Sequence, residues 1–284
     1  TGDMKVKKVF NNNILCAVDE EGNEVIVTGK GLGFQKHTGE TLDESKIEKT
    51  YRMVDKQEQR KLRELAEQIP IEDLQLTEQL IADIKRSITQ PLNESLLITL
   101  TDHISFAMQR KQKGIAFTNP LAGSIMCYYP AEYQMGRRCL ETIRQKTGIA
   151  LNDDEASFIA LHIVNAEMNT HMSEMYDITK LIDGCIDVVE AYYHKRFDRQ
   201  SLDFSRFVVH LRYFAKRVFQ GKTLPDNSDA NDVNFRQMIA YSCKKHYQCA
   251  LRIADYMKTT WDKTLSEEEL IYLTIHLKRI NMSA

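Results

Sequence analysis

Leu100-Thr101-Asp102-His103-Ile104-Ser105-Phe106-Ala107 sets how the rest of the chain is understood. Its apolar positions recur at helical spacing, and His103 sits within the stripe Leu100/His103/Ile104/Ala107, on the packed side of an α-helix. The stripe returns at Phe207/His210/Leu211/Phe214. Working outward, Phe106 falls over Tyr213, Arg110 over Arg217 and Gly114 over Gly221. A second pair of stripes follows, Ile159/His162/Ile163/Ala166 and Leu273/His276/Leu277/Ile280. Around them Asp154-Glu155 matches Glu268-Glu269, Phe158 matches Tyr272 and Met168 matches Met282. Tyr133-Gln134 matches Tyr247-Gln248, and 29 residues separate Tyr133 from His162 and Tyr247 from His276. Two matched anchors per half predict a duplicated all-α domain of about a hundred residues per copy.

Helical periodicity starts near Lys61 and continues through segments such as Leu62–Ile69, Leu74–Thr89 and Ser95–Lys113. Asn119-Pro120, Tyr129-Pro130 and Leu224-Pro225-Asp226-Asn227 interrupt it as loops. The residues before it follow another rule. Val6–Phe10, Ile14–Val18 and Glu24–Thr28 are short β-rich runs, separated by Asn11-Asn12-Asn13 and by Asp19-Glu20-Glu21-Gly22-Asn23. That is hairpin chemistry, and a fourth strand around Ile47–Met53 would complete the sheet. The expected architecture is a small antiparallel all-β domain over 4–59, then two homologous all-α bundle domains over 60–172 and 173–284. A sheet this small has little core of its own, which makes a homodimer through it an expectation.

The 284 residues are 43% hydrophobic and 27% charged, the balance of a globular protein. No apolar run approaches the roughly eighteen residues of a membrane span, so no membrane insertion is expected. Thr1-Gly2-Asp3-Met4 lacks a signal-peptide pattern, Met4 reads as the natural start, and the expected location is cytoplasmic. Cys16, Cys127, Cys139, Cys185, Cys243 and Cys249 form no CxxC pair and lie in apolar stretches, so reduced core thiols are expected and zinc is not. Net charge is −2, and residues 1–59 carry nine Lys/Arg against eleven Asp/Glu. Any nucleic-acid footprint must therefore be local, around Lys5, Lys7, Lys8, Lys30 and Lys36.

One histidine on an apolar stripe is ordinarily a hydrogen-bonded core residue. Four in register, His103, His162, His210 and His276, point to a paired imidazole site in each repeat. Two nitrogens form a thin metal set, so neither metal nor cofactor is expected. Phosphoryl acceptance fits better: neutral imidazole is nucleophilic near pH 7, and a phosphoryl group adds almost two negative charges, enough to repack a helix face. Asp102 could orient the His103 ring, but its counterpart is Val209. No Ser or Cys nucleophile with a base is found, and no catalytic residue is assigned. His37, His171, His194 and His246 have no repeat partner and read as surface or turn residues.

Gly29-Lys30-Gly31-Leu32-Gly33-Phe34 follows a strand but precedes a turn, so it is not a dinucleotide fingerprint. Two readings stand: a glycine-loosened loop on the sheet, or a close approach to RNA with Lys30 for phosphate, Phe34 for stacking and Asn11–Asn13 for base edges.

Over nearly its whole length the chain resembles the BglG/SacY/LicT family of bacterial transcriptional antiterminators. The resemblance rests on Lys8, Asn11-Asn12-Asn13, residues 29–36 and Ile47-Glu48-Lys49 in the β module. In the helical part it rests on Ser95–Arg110, Phe158–Glu167, Val208–Arg217 and Leu273–Arg279. It implies a dimeric co-antiterminator domain that binds an RNA hairpin and so excludes a terminator hairpin, followed by two phosphotransferase-system regulation domains. It further implies that His103 and His162 take phosphoryl groups under control of a sugar permease, holding the protein inactive. His210 and His276 would be phosphorylated by HPr, stabilising the active dimer. Lys8, Asn13, Gly29, Lys30 and Phe34 match the family's RNA-contact positions. Lys30 stands where family members usually carry Arg, which keeps the charge and loses the two-pronged fork. A DNA-binding regulator with the same helical domains would begin with a helix-turn-helix, unlike this β-rich start. A protein-interaction module with core histidines would take no phosphoryl group.

Overall fold

A computed structural model describes residues 4–52, 56–115, 117–170, 172–226 and 229–280. Thr1–Asp3, Met53, His171, Asn227 and Met282, which enter the sequence reading, lie outside the described residues.

The first strands form as the runs predict. β1 (Lys5–Val9), β2 (Ile14–Val18), β3 (Glu24–Thr28) and β4 (Lys49–Tyr51) make one antiparallel sheet in that order. Asp19 closes the β2–β3 turn, its Oδ1 accepting from the backbone N–H of Glu21 at 3.0 Å and of Asn23 at 2.9 Å. Gly22 supplies the left-handed residue there at φ +83°.

Ile14-Leu15-Cys16-Ala17 is apolar at every position because both faces of the sheet are covered. Leu15, Ala17, Val25 and Val27 pack with Val6, Leu32 and Leu42. Ile14, Cys16, Ile26 and Tyr51 pack on the other side beneath Leu62, Leu65 and Ala66. Those three belong to the first helix, α1 (Lys56–Gln68). The sheet thus borrows a helix for the core it is too small to build.

Ten further helices follow among the described residues: α2 (Ile71–Ser87), α3 (Ser95–Gln112), α4 (Ala122–Tyr128), α5 (Pro130–Thr147), α6 (Asp154–Met168), α7 (Met172–Tyr193), α8 (Leu202–Phe219), α9 (Ala230–Ser242), α10 (Lys244–Trp261) and α11 (Glu267–Arg279). None is long and apolar enough to cross a membrane. All six cysteines are free; five are buried and Cys127 is half-buried.

The chain divides into two compact units, Thr1–Asn119 with Glu132–Asn169 and Pro120–Ala131 with Thr170–Ala284. In the first, Leu100, Ile104 and Met108 of α3 pack with Ile159, Ile163 and Ala166 of α6. Gly136 lets α5 press backbone to backbone on α6, since a Cβ there would stand 2.3 Å from the Ala156 carbonyl. In the second, Phe207, Leu211 and Phe214 of α8 and Leu273 and Leu277 of α11 are buried. Ser201 caps α8 by accepting from the Phe204 N–H at 3.1 Å, and Ser266 caps α11 by accepting from Glu269 at 3.2 Å.

Residues 120–131, which the sequence groups with the first helical copy, join the second unit. Ser124 donates to the Asp183 carboxylate at 2.8 Å, Tyr128 donates to it as well, and the Arg212 guanidinium lies 4.7 Å from the centre of the Tyr129 ring.

Candidate functional site

In both helical copies the two histidines face each other. His103 on α3 and His162 on α6 have ring centroids 5.1 Å apart. His210 on α8 and His276 on α11 stack with centroids 3.4 Å apart and planes inclined by 23°. The repeat brings together the imidazoles that the sequence paired.

The surroundings differ. In the first copy the His103 Nε2 lies 2.9 Å from Glu155 Oε2, and the Arg110 Nη2 donates to Glu155 Oε1 at 2.7 Å. Burial works to raise the Glu155 carboxyl, but His103 and Arg110 outweigh it and hold the group below the usual carboxylate range. His162 is almost fully buried, and its Nδ1 has no hydrogen-bond partner among the described residues. Burial, reinforced by the nearby His103, pushes the His162 imidazole down to about 3, so it is neutral at pH 7.

In the second copy the equivalent acid, Glu269, turns to arginine instead. Arg217 makes a two-point bridge to it, Nε to Oε1 at 2.9 Å and Nη2 to Oε2 at 2.7 Å, and the Leu224 N–H adds a third contact at 3.0 Å. Among the described residues no carboxylate bonds to His210. Its Nδ1 lies 3.3 Å from the Tyr272 hydroxyl, which also donates to the His210 carbonyl at 3.2 Å. Burial, then His210 and Arg279, push the His276 imidazole down to about 4, and burial and Arg279 lower His210. Phe158 in the first copy, which stands where the second has Tyr272, offers the His103 ring a tilted face at 5.4 Å and no hydroxyl.

Asp102, expected to support His103, is exposed and makes no bond to the ring. Adjacent residues on a helix point about 100° apart, so it could not reach; the acid on His103 is Glu155 from the facing helix. Arg110, Glu155, Arg217 and Glu269 were legible as repeat-matched pairs, and their charge complementarity was the signal missed. His246 also departs from expectation: it is half-buried on α10, and its Nδ1 is bonded to the Tyr193 hydroxyl at 2.6 Å.

In the β module the asparagines lock the glycine loop rather than project freely. The N–H groups of Gly29 and Gly33 donate to the carbonyls of Asn13 and Asn12 at 3.0 and 2.9 Å. Gly31 N–H donates to Asn13 Oδ1 at 2.9 Å. Asn11 Oδ1 accepts from Asn13 and Ile14. Glycine is required at Gly29 and Gly33 by the chain's own backbone, because a Cβ would stand 1.9 Å from the Lys46 carbonyl and 2.3 Å from the Asn11 carbonyl. On this fixed loop Lys30 is exposed and Phe34 is 60% exposed. Lys8, on β1, pairs with Glu67 of α1 at 2.7 Å. Among the described residues no cluster of His, Cys, Asp or Glu could hold a metal ion.

Comparison with known proteins agrees with this layout. The CAT RNA binding domain pattern matches residues 4–60, and the PRD domain pattern matches twice, at 78–166 and 183–280. The chain is 38% identical over 277 residues to the transcription antiterminator LicT of Bacillus subtilis, covering 98% of this chain and 99% of that protein. It is 35% identical to the beta-glucoside operon antiterminator of Dickeya chrysanthemi, covering 98% and 96%. It is 30% identical to the protein GlcT of Staphylococcus aureus (strain MRSA252), covering 99% and 100%. The chain therefore belongs to the family of transcription antiterminators that join a CAT RNA-binding domain to two PRD domains.

Proposed function

We propose that the chain is a sugar-responsive antiterminator: its β module, as a homodimer, binds an RNA hairpin in nascent mRNA, and that hairpin keeps the terminator from forming. The paired histidines are its control elements, with His103 and His162 phosphorylated under a sugar permease of the phosphotransferase system and His210 and His276 by HPr.

The contact between the two imidazoles of each repeat carries this reading. His162 and His276 are neutral at pH 7, so each ring keeps a lone pair on one nitrogen. That lone pair forms the new N–P bond as the donor's bond to phosphorus breaks and its electron pair leaves with the donor side chain. A group of nearly two negative charges then sits where burial is almost complete, and a buried charge of that size forces the helix faces to rearrange. The two copies would respond differently, because the first already holds a carboxylate on His103 and the second does not.

For RNA, the loop supports recognition by shape and stacking. Phe34 presents an open ring and Lys30 an open ammonium; Lys8 would exchange its exposed partner Glu67 for a phosphate, and Asn13 keeps its side-chain N–H donors while its Oδ1 fixes the loop. Gly29 serves by letting Lys46 close under that loop.

The test is phosphoryl transfer from HPr to the full chain and to its single His→Ala variants. Label on His210 or His276 that is lost in the corresponding variant supports the reading. Absence of label from all four histidines, with both HPr and permease as donors, removes it.

A further inference from the structure

The stacked histidines of the second PRD domain open onto a cavity of about 480 Å3 that also takes in Arg206 on α8 and Arg279 at the end of α11. Phe207 and Ile280 form its apolar wall, and among the described residues Asp203 is the one carboxylate lining it. Among the described residues the guanidinium of neither Arg206 nor Arg279 makes a hydrogen bond or an ion pair, and both residues are exposed. Unpaired guanidinium groups facing one cavity leave ten N–H donors without a fixed acceptor, in the planar fork that suits a tetrahedral oxyanion.

The charge balance points the same way. Glu269 is neutralised by Arg217 and the Leu224 N–H, which leaves two arginines against Asp203 at the histidines. The first PRD domain has no such surplus. Thr99 and Asn165 stand where the repeat places Arg206 and Arg279, and its remaining acid, Glu155, bonds to His103 itself. The two guanidinium groups are thus a property of the second copy rather than of the repeat.

We propose that this cavity binds a tetrahedral oxyanion of the phosphate class, clamped by Arg206 and Arg279 over the His210–His276 pair. The noncovalent site stands by itself; that the same clamp holds a phosphoryl group carried on either imidazole rests on the reading of these histidines as phosphoryl acceptors. Free phosphate and a histidine-borne phosphoryl group present the same oxygens to the arginines, and two arms of one experiment separate them.

In the first arm the full chain, carrying 13C-labelled histidine, is titrated with inorganic phosphate at constant ionic strength, and the ring C–H signals are followed. The His210 and His276 signals move to saturation, those of His103 and His162 stay, and the Arg206→Gln/Arg279→Gln variant binds at least about tenfold more weakly. The Lys/Lys variant keeps part of the affinity, since charge remains and the fork is lost. Unchanged His103 and His162 signals show that each variant is folded. A shift that never saturates, or equal affinity in the Gln/Gln variant, overturns the site.

In the second arm phosphoramidate is the donor. Ammonia leaves with the P–N electron pair as an imidazole nitrogen forms the new N–P bond, and 31P signals report the product. A second-domain phosphohistidine that forms about tenfold less, or decays about tenfold faster, in the Gln/Gln variant places the phosphoryl group in the clamp. Equal yield and lifetime in both proteins, with no saturable phosphate binding, overturns the proposal and leaves the histidines as acceptors. Saturable phosphate binding with no phosphohistidine supports the anion site and removes the acceptor reading.

Discussion

Glu155 bonds through one carboxylate oxygen to the ring of His103, 2.9 Å away, while its other oxygen takes the Arg110 guanidinium. The matched acid in the second copy, Glu269, gives both oxygens to Arg217. One repeated sequence has thus produced a histidine pair tied to an acid and, among the described residues, a histidine pair bonded to none.

Removing either acid strands a guanidinium. Glu155→Gln leaves Arg110 with 13% side-chain exposure and no counter-charge, and Glu269→Gln does the same to the half-buried Arg217. A stability loss of about 3 kcal/mol in urea unfolding is expected for each. A loss under about 1 kcal/mol would mean that these pairs do not hold the sites together.

Acid should unfold the helical domains through His162 and His276. Both have folded pKa values, about 3 and about 4, below the 6.5 of an open imidazole. The unfolded chain therefore binds more protons as pH falls below 6.5. Stability is fully present above that value and declines by up to about 1.4 kcal/mol per pH unit for each histidine until the folded pKa is reached. Urea midpoints from pH 7.5 to 4.5 should fall, and His162→Phe should flatten the fall. A pH-independent midpoint would contradict neutral burial.

The loop that carries Phe34 depends on bare backbone at its base. Gly33→Ala would put a Cβ 2.3 Å from the Asn11 carbonyl and Gly29→Ala one 1.9 Å from that of Lys46. Each should cost about 3 kcal/mol or more, seen as a lower thermal midpoint. Gly31→Ala has open space around it but a φ of +68°, so a smaller cost, about 1 kcal/mol, is expected.

For RNA, Phe34→Ala should remove one stacked base, worth about 1 to 3 kcal/mol, or roughly a five- to 150-fold loss of affinity. Lys30→Gln should weaken binding at every salt concentration and flatten the salt dependence by about one unit of slope. Gel-shift titrations of the full chain at several salt concentrations distinguish the two effects. Equal loss in both variants with no change in slope would contradict the division of roles.

Much of this was legible beforehand because it was local or repeated. Alternation and turn chemistry marked the sheet, 3.6-residue stripes marked the helices, and the duplicated anchors singled out the four histidines, whose meeting in pairs only the fold shows. What escaped was non-local. Asp102 looked like the partner of His103 because it is adjacent in sequence, whereas helix geometry hands that place to Glu155, fifty-two residues away. The short α4 carries no periodicity strong enough to reveal that it packs on α7 through Asp183 and on α8 through Phe204. The need for glycine at Gly29 and Gly33 comes from carbonyls that only the folded chain brings near.

Binding of the full chain to an antiterminator hairpin, measured before and after phosphorylation by HPr, tests the proposed control most directly. Phosphorylation of His210 or His276 should tighten binding, His210→Ala/His276→Ala should abolish that gain, and Phe34→Ala should weaken binding by a similar factor in both states. An affinity for the hairpin that neither phosphorylation nor the loss of Phe34 changes would contradict both halves of the mechanism.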